Sequence, residues 1–144
     1  MAAFKRIIGV VLIVIAAIVA IQTVFEPIYH TSTDDSPYSS TWDYINPLSA
    51  ISIILGVIFG YIRMSRAGAD SSVQEFIAAN TMFYGFMFAA IIFFWNWFGI
   101  SDIGSDFTPV GHNTRSLIWI IFDAILPLLN GAMGVHLIRT SASE

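Results

Sequence analysis

The sequence predicts an all-α integral membrane protein, a single-domain bundle of four transmembrane helices with both termini on the cytoplasmic side. Three observations carry that reading. Of 144 residues, 56% are hydrophobic and 15% aromatic, and only 11% are charged, against about 25% charged in an ordinary soluble domain. The mean hydropathy is +0.75. Second, the apolar residues gather into four runs. Third, the cations gather on one side of them. A soluble domain of this length needs more polar residues to cover its surface than the chain holds. Six Lys and Arg cannot build a phosphate-tracking basic surface, so nucleic acid is excluded as a partner. The absence of cysteine removes disulfide frameworks, thiolate metal sites and a cysteine nucleophile.

The first predicted helix covers residues 7–25. At about 1.5 Å per residue it reaches roughly 28 Å, close to the ~30 Å hydrocarbon core. Lys5 and Arg6 precede it, as they would a signal peptide. The run is long for a signal's apolar region, and cutting after Ala20 would leave Ile18 where a small residue is needed. It is read as a retained helix. The second helix is predicted over 46–63, with Asn46 as its cap, Pro47 at its first position and Arg63 snorkelling at its end. The third and fourth are predicted over 76–98 and 116–138, long enough to cross with some tilt. The connections are 26–45, 64–75 and 99–115, all polar and turn-rich. No strand alternation is visible, so helices are the available spanning structure.

Charge sets the orientation. With the N-terminus inside, Lys5, Arg6, Arg63, Arg66 and Arg139 are cytoplasmic and Arg115 alone is outside, as the positive-inside rule requires. Glu26, Asp34, Asp35, Asp43, Asp102 and Asp106 then face outward. Trp42, Trp95, Trp97 and Trp119 fall at the outer interface, the level that indole rings prefer. The cytoplasmic (plasma) membrane of a prokaryote is the expected location.

Apolar burial does not drive helix association in lipid; close backbone approach and interhelical hydrogen bonds do. Each span offers such a stripe: Ala16 and Ala20; Ser49, Ser52, Gly56 and Gly60; Ala78, Thr81, Gly85, Ala89 and Asn96; Asp123, Pro127, Asn130 and Gly134. Gly56, Gly60, Gly85 and Gly134 are the expected packing glycines.

Asp123 stands out. A carboxyl at that depth costs at least ~2.5–3.5 kcal/mol to insert. It must face the bundle or water, or carry a proton. Asn130 and Asn96 are its candidate partners in a proton, ion or partner-contact site, and an interhelical hydrogen bond is the bland alternative. Pro127 frees the carbonyl of Asp123 and eases local polar bonding. In the outer connections His30, His112, Asp102 and Asp106 are candidate metal ligands, although their spacing follows no familiar ligand pattern. Phe93–Phe98 is an aromatic run best read as an interfacial belt. No nucleophile elbow, P-loop, dinucleotide fingerprint or zincin motif is present.

With so little chemistry of its own, the chain is expected to be a small accessory subunit. It would dock in and stabilise a larger membrane complex, such as a membrane-bound oxidoreductase, beside lipids and other integral subunits. The alternative is a small oligomeric channel or proton-coupled transporter that uses Asp123. A metal-binding subunit with an outer His/Asp site is the third reading. The sequence requires no cofactor; lipid contacts are expected.

Overall fold

The computed structural model describes residues 2–33, 36–68, 70–100 and 111–143. Helix α1 spans Ala2–Tyr29, α2 Trp42–Arg66, α3 Val73–Ile100 and α4 His112–Ser141. All four are long and apolar enough to cross a membrane, which fits a multi-pass membrane protein. Each helix outruns its apolar segment. A helix satisfies its own backbone donors and acceptors, so it need not unwind where the chain leaves hydrocarbon.

Two boundaries differ from the sequence expectation for a specific reason. Helix α2 does not start at an Asn46 cap; it starts at Trp42, with Pro47 inside it. Pro47 has no N–H for the carbonyl of Asp43, but Asp43 is exposed, and the added turn buries Trp42 and Ile45. Helix α1 likewise runs through Pro27 to Tyr29. Its last turns are held by the connection that folds back on them. Glu26 accepts the backbone N–H of Ser39 at 2.8 Å and the indole N–H of Trp42. Gln22 donates to the hydroxyl of Ser39 at 3.1 Å and to that of Tyr29.

Consecutive helices are antiparallel neighbours, and α1 closes the ring by packing against α4 along its length. Helices α2 and α4 also touch across the middle; α1 and α3 do not meet. We call the end with both termini and the α2–α3 connection the terminal end, and the other the distal end. All four Trp lie toward the distal end.

Glycine sets the closest approach. A Cβ on Gly9 would lie 2.7 Å from the backbone oxygen of Gly134, and one on Gly134 would lie 2.6 Å from that of Gly9. The α1–α4 seam therefore closes backbone to backbone near the terminal end. Gly56 makes room for the ring of Phe86, Gly60 for the backbone of Phe83, and Gly85 for Leu129. The sequence stripe for the first helix named Ala16 and Ala20 and overlooked Gly9. The buried face is Gly9, Leu12, Ala16 and Val19, one helical stripe. In α3 the buried residues are Ala79, Phe86, Ala89, Phe93 and Asn96, whereas Ala78 and Thr81 are exposed. They line an open apolar groove with Ile77, Met82 and Leu129.

The α2–α3 connection is pinned. Arg63 and Glu75 form a bidentate pair, both contacts at 2.8 Å. Ser72 caps α3 by accepting the N–H of Glu75 at 3.2 Å. Two apolar clusters fill the interior. Ile15, Val19, Ile53, Phe93, Phe122 and Leu126 dominate the distal one; Leu12, Phe86, Met133 and Leu137 form the terminal one.

Candidate functional site

Helices α1 and α4 close at Gly9 and Gly134 and leave a cavity between them at the distal end. Its volume is about 250 Å³. Helix α1 contributes Thr23, Glu26 and Pro27, with His30 just beyond; the following connection adds Ser32, Pro37 and Tyr38. Trp42 comes from α2, and Trp119, Ile120 and Asp123 come from α4. Pro27, Ser32 and Pro37 are exposed, so the cavity opens toward the distal surface.

Asp123 is only 8% exposed, yet it lines this cavity. Among the described residues no group donates a hydrogen bond to its carboxyl. Pro127, four residues on, has no N–H for the Asp123 carbonyl, and Pro27 has none for that of Thr23. Thr23 and Asp123 both line the cavity. A second carboxyl, Glu26, lines the same space. It is half-buried and already anchors Ser39 and Trp42. The aromatic wall is fixed from outside. Tyr38 donates to the hydroxyl of Ser116 at 3.1 Å. Trp119 packs edge-on against Phe93 and Phe122, and its buried indole N–H has no acceptor among the described residues.

Asn130 and Asn96 do not join Asp123 by hydrogen bonds. Asn130, fully buried, donates to the hydroxyl of Ser52 at 2.9 Å and so links α4 to α2. Asn96 donates to the carbonyl of Ile92 in its own helix at 2.8 Å. The side-chain carbonyl oxygen of each amide has no donor among the described residues. Between the cavity and the Ser52–Asn130 contact the core is apolar, with Val19, Phe93 and Leu126 packed together.

His30 donates through Nε2 to the carbonyl of Ser36 at 3.1 Å, bracing the distal connection. Asp102 and Asp106 lie outside the described residues, as does the side chain of His112. Among the described residues no three His, Asp or Glu side chains come together as metal ligands.

Sequence reasoning singled out Asp123 but missed what stands around it. Glu26 looked like the first residue of a loop. Val19, Gln22 and Glu26 follow one another at helical spacing, so the buried face of α1 leads straight to Glu26. That continuity was the available signal. With the fold and cavity in place, comparison adds no relative: no family model matches the sequence, and neither a curated protein nor a solved structure matches the chain.

Proposed function

We propose that the chain is a small multi-pass membrane protein that binds a cation in the distal cavity, as a carrier rather than a channel, with Asp123 as the binding carboxyl. The carrying observation is Asp123 itself, a buried carboxyl that has no hydrogen-bond donor among the described residues and lines an open cavity. An acid at membrane depth is expensive and persists where it has a task or a partner. A second carboxyl in the same cavity favours a positive occupant. The one-sided opening over an apolar floor suits a carrier open to one side, since a channel needs a continuous polar path. Uptake by the purified chain in proteoliposomes tests this with labelled sodium, rubidium and methylammonium, and with a pH dye for protons. At least one cation should accumulate over protein-free vesicles, and Asp123→Asn should abolish it. Wild-type protein that moves none of them would overturn the carrier.

An accessory-subunit role is a second reading. The observation in its favour is the uncovered flank of α3, where Ala78 and Thr81 sit in the open groove toward α4. Small residues there would let a partner helix approach closely. Purification in mild detergent from native membranes should bring down an integral membrane protein at fixed stoichiometry. Thr81→Phe should release it.

The orientation we propose keeps both termini cytoplasmic. Because the chain has no cysteine, single-cysteine variants report topology cleanly. Ser40→Cys should react with an impermeant thiol reagent added to intact cells, and Ser143→Cys should react only after the membrane is opened.

A further inference from the structure

We infer that the distal cavity takes a small organic ammonium ion, its N–H donors set against Asp123 and its carbon skeleton against Trp42, Trp119 and Tyr38. The inference rests on the cation-binding reading and specifies the ligand. Three features of the cavity choose among cations.

The first is size. About 250 Å³ is far more than a bare metal ion fills, and just below the ~300–1,000 Å³ of pockets for larger ligands. The second is the wall. Trp42, Trp119, Tyr38, Pro27 and Pro37 contribute carbon to it. Sodium and potassium gain most from a closed shell of oxygens, whereas a lining that sets its carboxyls beside three aromatic side chains and two prolines favours a cation with a carbon skeleton. Indole and phenol faces attract organic cations, worth ~0.5–2 kcal/mol per ring.

The third is the hydrogen-bond balance. Among the described residues the Asp123 carboxyl has no donor, and Pro27 and Pro127 offer no N–H to the carbonyls of Thr23 and Asp123. An ammonium with N–H groups supplies what is missing. A quaternary ammonium offers charge but no donor. Glu26 adds charge without needing to move, since its oxygens hold the N–H groups of Ser39 and Trp42. A primary or secondary amine is therefore the class that fits.

The test is titration of the full chain in detergent micelles or nanodiscs with ethylammonium and benzylammonium. Binding is read by calorimetry and by the fluorescence of the two cavity tryptophans. Tetramethylammonium, sodium and potassium are the comparisons. Saturable binding of both amines is expected, with tetramethylammonium weaker and sodium unable to displace them at equal concentration. Asp123→Asn keeps the side-chain shape and should weaken amine binding about ten- to a hundredfold, the range for a lost charged hydrogen bond. Trp42→Leu should weaken it several-fold, from the lost ring face. Circular dichroism and size-exclusion profiles matching wild type confirm that both variants are folded. If Trp42→Leu misfolds, Tyr38→Leu replaces it.

Asp123-dependent binding of sodium or rubidium without any amine binding would overturn the ammonium assignment and leave the cation-binding reading standing. Tetramethylammonium binding as tightly as ethylammonium would overturn the role of the N–H donors. No binding of any cation by folded wild-type protein would overturn both.

Discussion

The two ends of the bundle each bring acidic side chains in from the polar surface, and they treat them in opposite ways. At the terminal end Glu75 meets Arg63 in a bidentate pair beside a capped helix start, and the α1–α4 seam closes on two glycines. At the distal end Glu26 and Asp123 face one cavity with no Lys or Arg among its described lining residues, and that cavity lies between the same two helices. A folded chain builds the first arrangement for stability. It tolerates the second when something else completes it.

The largest expected effect lies at the closed end. Gly134→Leu places a branched side chain where even a Cβ would meet the backbone oxygen of Gly9 at 2.6 Å. Backbone cannot swing aside as a side chain can, so the loss should be about 3 kcal/mol or more. Thermal unfolding in micelles should show a markedly lower midpoint or no folded species. Gly131→Ala, at a position with open space around it, should change little. If the two variants behave alike, the α1–α4 seam is not the closure described above.

Asp123 should respond with the opposite sign. Most buried polar groups stabilise what they touch, and an interhelical hydrogen bond at Asp123 would make Asp123→Leu destabilising. With no donor to its carboxyl among the described residues, removal of the group relieves its insertion cost. Asp123→Leu should raise the unfolding free energy by up to about 2–3 kcal/mol, seen as a higher unfolding midpoint, while cation uptake disappears. Gain of stability with loss of activity marks a functional site. A destabilised Asp123→Leu would instead make Asp123 an ordinary structural group.

How far the sequence could be read follows the same division between ends. Four spans were legible because an apolar run of bilayer length has few alternatives. Asp123 was legible because an acid inside such a run is conspicuous. The cavity was not. It depends on Glu26 and Trp42 lying in helices rather than in a loop, and Pro27 and Pro47 read locally as boundaries. Tertiary bonds from Glu26 to Ser39 and Trp42 override that local signal, and sequence spacing cannot show them. Gly9 was missed for a related reason. A glycine early in a long apolar run has many explanations until the helix facing it is known.

The smallest effects should come from the polar ties that hold the bundle without serving the cavity. Asn130 joins α4 to α2 through Ser52, and Asn130→Ala should cost about 0.6–1.7 kcal/mol, the range for interhelical hydrogen bonds in membrane proteins. The Arg63–Glu75 pair has ideal geometry, but the Glu75 side chain is 42% exposed. Water screens it, so a double-mutant cycle with Arg63→Ala and Glu75→Ala should yield no more than ~1 kcal/mol of coupling, shrinking as salt is added. Neither change should alter cation uptake, because neither residue reaches the cavity. The pair is then a clean control for the distal end. If breaking it abolishes uptake while the protein stays folded, the ends are coupled, and the closed end moves when the carrier works.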